Sequence, residues 1–178
     1  MDYKKTSKKL SFLLRHLPEG HELKMDEFGW VNINDLLMFM ENDGTHLTRE
    51  ILNDVVKTNN KQRFKISDCG HKIKAVQGHT IDVKIELPPI EPPQYLYHGT
   101  ATRFIDSIMI DGLKSMERLH VHLSKEYMTA TNVGMRHGSP KVLTISAKQM
   151  FKDGYEFYCA ENGVWLTKKV PVKYISLV

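Results

Sequence analysis

The chain has 178 residues, of which 41% are hydrophobic and 26% charged; this is an ordinary globular composition and excludes collagen-like, low-complexity and coiled-coil classes. Its formal net charge is +4 with histidine neutral, which permits a polyanionic partner without demanding one. No apolar run approaches the roughly 20 residues needed to span a bilayer, Met1-Asp2-Tyr3-Lys4-Lys5 lacks the apolar stretch of a secretory signal, and Cys69 and Cys159 are too few for a disulfide framework, so a reduced, cytoplasmic setting with two bystander thiols is expected.

Residues 6–17 read as an amphipathic helix, because Leu10, Leu13, Leu14 and Leu17 fall at i, i+3, i+4 and i+7. Pro18 stops it by pushing the residue before it out of helical geometry. Gly29-Trp30-Val31-Asn32-Ile33 alternates like a short strand, after which Asn34 or Asp35 caps a short apolar helix through Met40. Thr48 is the N-cap expected for a helix through Lys57, with Ile51, Leu52, Val55 and Val56 facing inward. Arg63–Ile66 and Lys72–Val76, separated by Asp68-Cys69-Gly70, read as a β-hairpin. Helices followed by a basic hairpin suggest a winged-helix lobe over residues 1–83, an architecture that binds nucleic acid or proteins.

Pro88, Pro89, Pro92 and Pro93 crowd residues 84–94, which favours an extended connector and marks a domain boundary. Residues 95–178 then form a second lobe. Tyr95–His98 reads as a strand and 101–111 as a helix ended by Gly112. His120–Leu123 reads as a strand and Lys125–Arg136 as a helix. Val142–Ile145, Val164–Leu166 and Tyr174–Leu177 read as strands, so the fold class is α+β.

Arginines are few in this chain, since most of its basic charge is lysine. Arg15, Arg63 and Arg136 sit singly in tight local contexts rather than in a charge run. A guanidinium is a planar fork of donors that can hold phosphate oxygens in pairs, although each arginine alone also reads as a surface ion-pair residue. His16, at a helix end beside Arg15, can donate to phosphate or move a proton near neutral pH; equally, it is a cation favoured by the helix dipole. His98-Gly99-Thr100 closes a strand and opens a helix, with Thr100 or Thr102 as cap and Gly99 allowing a close backbone approach to a ligand. The same tripeptide also reads as a plain turn.

His120 and His122 are one residue apart, so on a strand they share a face. They are either metal ligands or one histidine facing a bound ring or sugar; no further ligands stand at zinc-like spacing, so no metal is expected. Tyr97 and Trp165 read as core or pocket-wall residues. Gln77-Gly78-His79-Thr80 is either a phosphate-contacting loop between lobes or a simple turn. No G-x-x-x-x-G-K-[ST] loop, G-x-G-x-x-G fingerprint or G-x-S-x-G elbow is present.

Taken in order and spacing, these elements resemble the RNA 2'-phosphotransferase family, also called tRNA splicing 2'-phosphotransferase, from about Ser7 to the C-terminus. The N-terminal motifs that carry the resemblance are Leu10-Ser11-Phe12-Leu13-Leu14-Arg15-His16, Lys61-Gln62-Arg63-Phe64 and Ala75-Val76-Gln77-Gly78-His79. In the second half they are Leu96-Tyr97-His98-Gly99-Thr100, Val121-His122-Leu123-Ser124, Gly134-Met135-Arg136-His137-Gly138-Ser139-Pro140 and Glu161-Asn162-Gly163-Val164-Trp165-Leu166-Thr167. Each is weak alone; together they are specific.

The resemblance implies a winged-helix lobe that holds RNA and an ADP-ribosyltransferase-like lobe that holds NAD+, consumed as co-substrate. It implies removal of an internal RNA 2'-phosphate by way of a 2'-phospho-ADP-ribosylated RNA, giving 2'-hydroxyl RNA, nicotinamide and ADP-ribose 1'',2''-cyclic phosphate. The family's essential Arg-His-Arg-Arg set falls on Arg15, His16, Arg63 and Arg136. The first three would clamp the 2'-phosphate and Arg136 would assist transesterification. His98, Gly99, Thr100, His122 and Ser124 fall at positions that would contact NAD+. Where many protein-modifying relatives carry a catalytic glutamate, Val164 stands here; an already ionised phosphate needs no carboxylate to activate it and would be repelled by one. A tRNA-like RNA partner, no membrane, no metal and a monomer are the accompanying expectations. Two other readings remain: a transferase that caps a terminal phosphate with ADP-ribose and stops, and a nucleic-acid binder with a degenerate NAD-sensing lobe.

Overall fold

A computed structural model describes residues 2–17 and 22–177. The chain divides into two compact units, Met1–Glu86 and Leu87–Val178.

In the first unit, helix α1 spans Tyr3–His16. It begins earlier than the leucine pattern predicts because the Asp2 side chain accepts hydrogen bonds from the N–H groups of Lys4 and Lys5, satisfying donors that an uncapped helix end leaves open. It ends at Leu17, which is left-handed (φ 33°) and returns its N–H to the Leu13 carbonyl; Pro18, the expected stop, lies outside the described residues. Strand β1 is only Val31–Asn32. Helix α2, Ile33–Asn42, is capped by Asn32, whose side chain accepts from Asn34 and Asp35. The cap is therefore not Asn34 or Asp35: the chain turns helical as soon as Val31 and Asn32 have paired with Ile73 and Lys72. Helix α3 spans Arg49–Lys57 and is capped by Thr48, as its sequence predicts.

Strands β2, Phe64–Ile66, and β3, Lys72–Ala75, form the expected antiparallel hairpin. Gly70 (φ 75°) turns the chain between them, a conformation that costs a side-chain-bearing residue about 1 kcal/mol. With β1 the hairpin makes a three-stranded sheet in the order β1-β3-β2. Leu10, Leu13 and Leu14 of α1 join Val31, Ile33, Leu36, Leu52, Val55 and Ile73 in one buried core. Each such side chain contributes about 1.5–3 kcal/mol of apolar burial.

In the second unit, β4 (Leu96–Ala101), β7 (Pro140–Ile145) and β11 (Ile175–Leu177) form an antiparallel sheet ordered β11-β7-β4. Strand β4 pairs with β7 along its whole length, through Ala101 opposite Pro140. The predicted helix over 101–111 is consequently shorter. A 3₁₀ turn, Thr102–Phe104, leads into α4, Ile105–Asp111, which Gly112 ends at φ 78°. Strands β6 (Val121–Leu123), β8 (Tyr158–Cys159) and β9 (Trp165–Thr167) make a second sheet ordered β6-β9-β8. A two-stranded sheet joins β5 (Leu113–Lys114) and β10 (Lys169–Val170). Helix α5 is Tyr127–Gly134 and α6 is Ala147–Lys152. Leu96, Leu123, Leu143, Ile145, Phe157 and Trp165 fill this unit's own core. The whole is a mixed α and β fold of small antiparallel sheets. Among the described residues no helix is long and apolar enough to cross a membrane.

Candidate functional site

The last turn of α1 carries Arg15 and His16, both half-buried. The segment Gln77–Thr80 lies against them. Thr80 donates its backbone N–H to the Arg15 carbonyl at 3.0 Å, and its hydroxyl lies 2.9 Å from His16 Nδ1. Gly78, at φ 89°, lies under the Arg15 side chain: a Cβ there would stand 3.3 Å from Arg15 Nε. Residues 76–80 therefore do more than reverse the chain. Phe12 is one helical turn before His16, 54% exposed, with its ring centroid 5.3 Å from that of His16.

Arg63 enters the same neighbourhood from the start of the hairpin, where the Val76 N–H donates to the Arg63 carbonyl at 2.9 Å. Asn59 holds it from the other side. Its side-chain oxygen accepts from the Arg63 N–H at 3.3 Å and from Arg63 Nη1 at 3.5 Å, and its amide donates to Ser7 Oγ of α1 at 2.8 Å. Asn59 was not singled out in the sequence; its position just after a helix, where asparagine bonds backbone groups ahead of it, is the signal that was there to read. The Arg-His-Arg set of the first unit is thus braced through α1, Asn59 and the 76–80 loop. Three donors of this kind are suited to an anion.

His79 is 8% exposed. Burial first, then the positive charges of Arg15, Lys74 and His16, lower its pKa to about 4. At neutral pH it is a neutral packing residue beside Gly29 and adds no charge of its own. Because the folded state holds this pKa below the ordinary value, the unfolded chain takes up the proton first as pH falls. Stability present above pH 6.5 is lost down to about pH 4, by on the order of 3 kcal/mol. Denaturant midpoints of the first unit should fall across that window, and His79→Gln, which binds no proton, should flatten the profile.

In the second unit, His98, Gly99 and Thr100 stand inside β4. They do not open a helix, and neither threonine caps one: the turn after β4 has no side-chain cap, and Thr102 Oγ1 donates to the Ser139 carbonyl. His98 Nδ1 is 3.0 Å from the carbonyl of His122 on β6. A carbonyl only accepts, so Nδ1 carries the proton, and the neutral ring keeps Nε2 as its acceptor nitrogen. Burial holds the His98 pKa below the usual range; the His122 carbonyl pulls the other way and His137 adds to the lowering. A neutral imidazole with an acceptor Nε2 suits a hydroxyl donor such as a sugar and does not suit a phosphate oxygen.

Gly99 has no room for a side chain, since a Cβ would stand 1.7 Å from the Ala130 carbonyl oxygen of α5. Gly134 is close-packed from the other side, since a Cβ there would stand 2.6 Å from the Thr100 carbonyl oxygen. The two glycines seat α5 directly on β4. Thr100 is buried beside them. Ser124 follows β6 and exchanges two backbone hydrogen bonds of 2.8 Å with Tyr97, whose ring meets Tyr127 edge-on at 5.7 Å. His122 is half-buried on β6, whereas His120 lies before the strand, its ring 6.1 Å from Tyr158. The strand expected over His120–Leu123 therefore begins one residue later, at Val121. Among the described residues no group of three or more His, Cys, Asp or Glu side chains is arranged to hold a metal ion.

Arg136 follows α5 and is exposed, in a turn where its N–H bonds to the Val133 carbonyl. It belongs to the second unit, while Arg15, His16 and Arg63 belong to the first.

Arginines and a histidine braced in this way on a mixed α and β chain have the donor chemistry that suits proteins acting on phosphate groups. Comparison with known sequences gives the particular family. A family model described as "RNA 2'-phosphotransferase, Tpt1 / KptA family" matches residues 2–169. A probable RNA 2'-phosphotransferase of Flavobacterium johnsoniae is 49% identical over 173 residues, 97% of this chain and 95% of the relative. One from Agrobacterium fabrum is 49% identical over 97% of this chain and 92% of the relative. One from Acaryochloris marina is 50% identical over 96% and 94%. The chain belongs to the RNA 2'-phosphotransferase family.

Proposed function

We propose that the protein is an NAD-dependent RNA 2'-phosphotransferase that removes an internal 2'-phosphate in two steps. The observation that carries this reading is the bracing of Arg15, His16 and Arg63 by one loop and one asparagine, which preorganises donors around an anion. The order of elements in the first unit, helix-strand-helix-helix-strand-strand, supports a winged-helix reading with RNA as its ligand. For the second unit we propose an ADP-ribosyltransferase-like lobe.

The residues of the second unit fit a dinucleotide sugar. His98 offers an acceptor Nε2 to a ribose hydroxyl, and His122 fixes that tautomer through its carbonyl. Gly99 and Thr100 follow His98 on β4, and Ser124 follows β6 two residues after His122. NAD+ supplies an electrophilic ribose carbon with nicotinamide as its leaving group.

In the first step an oxygen of the RNA 2'-phosphate, held by Arg15, His16 and Arg63, forms a bond to C1'' of the nicotinamide ribose. The bond from C1'' to the pyridinium nitrogen breaks, and its electron pair leaves with neutral nicotinamide. Alignment is the main demand, because the nucleophile is already ionised. In the second step the ribose 2''-hydroxyl attacks phosphorus. The RNA 2'-oxygen departs and takes up a proton, leaving ADP-ribose 1'',2''-cyclic phosphate. Negative charge grows on the phosphoryl oxygens, and the Arg136 guanidinium stabilises it. No step calls for a carboxylate base, consistent with Val164 at the turn before β9.

The test is release of nicotinamide on mixing the protein with NAD+ and RNA. One nicotinamide should appear per 2'-phosphate removed, and none with the same RNA lacking the phosphate. Nicotinamide release indifferent to the phosphate would contradict the proposal.

A further inference from the structure

We infer that Thr80 is a positioning residue of this phosphate site: its hydroxyl holds the His16 ring so that Nε2 meets the RNA 2'-phosphate. The inference rests on the function proposed above and adds a residue which that reading does not include.

Thr80 grips the end of α1 twice. Its backbone N–H donates to the Arg15 carbonyl at 3.0 Å, and its Oγ1 lies 2.9 Å from His16 Nδ1. Two bonds to adjacent residues fix the hydroxyl relative to the imidazole. A hydroxyl both donates and accepts. When the ring is neutral the hydroxyl serves either tautomer, and with a phosphate oxygen accepting at Nε2 it donates to Nδ1 while the ring proton resides on Nε2. When the ring is an imidazolium it accepts the Nδ1 proton, and Nε2 again carries a proton. With the phosphate as acceptor, Nε2–H is thus compatible with the Thr80 hydroxyl in both charge states of the ring. A carboxylate at position 80 could only accept, and its charge would oppose the incoming phosphate. Valine has the shape of threonine and neither function.

The loop that carries Thr80 is itself held. His79 is buried beside Thr80, the Arg15 side chain lies over Gly78, and the Val76 N–H bonds to the Arg63 carbonyl. Residues 76–80 therefore touch each member of the Arg-His-Arg set. Sequence spacing alone left this segment open between a phosphate-contacting loop and a turn. The hydrogen bonds favour a third role, that of a brace on the residues that hold the phosphate.

The experiment compares wild type, Thr80→Val and Thr80→Ser in the full chain, with NAD+ and an RNA bearing one internal 2'-phosphate. Thr80→Val should lower kcat/KM for the RNA by about 10- to 100-fold, the loss typical of a group that orients a ligating histidine, while KM for NAD+ stays unchanged. Thr80→Ser, which keeps the hydroxyl and loses the methyl, should stay close to wild type. Ring ¹⁵N shifts of His16 should report a protonated Nε2 in wild type and a tautomer mixture in Thr80→Val. If wild type is active and Thr80→Val matches it, or if Thr80→Ser is as impaired as Thr80→Val, the assignment of Thr80 is overturned. An inactive wild type would instead overturn the proposed reaction itself, whatever the variants do.

Discussion

Arg136→Ala is expected to accumulate RNA that still carries its 2'-phosphate with ADP-ribose attached. Arg136 is exposed in the turn after α5, on a different unit from Arg15, His16 and Arg63, and the account gives it the second step. The first step makes a bond at carbon and demands mainly alignment, so it should continue. The second builds charge on phosphoryl oxygens, where loss of one preorganised donor costs about 10²- to 10³-fold. A lysine at this position keeps a point charge but loses the fork of donors, so Arg136→Lys should recover only part of the rate. Mass analysis of the RNA during the time course checks this. If nicotinamide release slows in Arg136→Ala as much as phosphate removal, with no conjugate detected, the division of labour between the steps is wrong.

Gly99→Ala should cripple the second unit before any question of catalysis arises. The new Cβ would stand 1.7 Å from the Ala130 carbonyl oxygen. That atom is helix backbone, so no side chain can swing aside; α5 must lift from β4 or β4 must leave β7. Overpacking of this severity costs about 3 kcal/mol or more, a large share of the 5–15 kcal/mol that is typical of a domain. Gly154→Ala is the control. Its Cβ meets nothing within 4 Å, and the only cost is its left-handed φ of 94°, about 1 kcal/mol. Thermal or denaturant unfolding of the two variants separates these cases, and equal midpoints would show that α5 does not need the close approach.

Much of the first unit was legible because its signals are local. The leucine stripe of α1, the Thr48 cap and the Asp68-Cys69-Gly70 turn each act within a few residues. The errors came where a local rule met a longer-range one. Asn34 and Asp35 are acceptable caps by type, but pairing of Val31 and Asn32 with β3 fixes the helix start at Asn32. Thr100 and Thr102 look like caps, yet the pairing of β4 with β7 as far as Ala101 keeps Thr100 inside the strand, and Thr102 begins the 3₁₀ turn with its hydroxyl donated to the Ser139 carbonyl. Short strands such as β5, β8 and β10 have too few residues for a period to show, and α6 was missed in the same way.

The site divides along the same line. Arg15 and His16 are neighbours in sequence, so their grouping could be read directly. Their link to Arg63 passes through Asn59 and residues 76–80, contacts made across 4 to 64 positions, and no spacing rule reports them. The tautomer of His98 needs the carbonyl of a residue on another strand. Gly99 illustrates a different limit. Its smallness suggests room for a ligand, yet on the side a Cβ would occupy, that room is filled by α5.

The central claim is that the 2'-phosphate leaves RNA only through NAD+. Its most direct test is incubation of the protein with a short RNA carrying one internal 2'-phosphate, with and without NAD+, and resolution of all products by mass. The account predicts NAD-dependent conversion to 2'-hydroxyl RNA, with nicotinamide and ADP-ribose cyclic phosphate appearing in equal amounts. Loss of the phosphate as inorganic phosphate without NAD+, or a phosphate left intact in its presence, would contradict it.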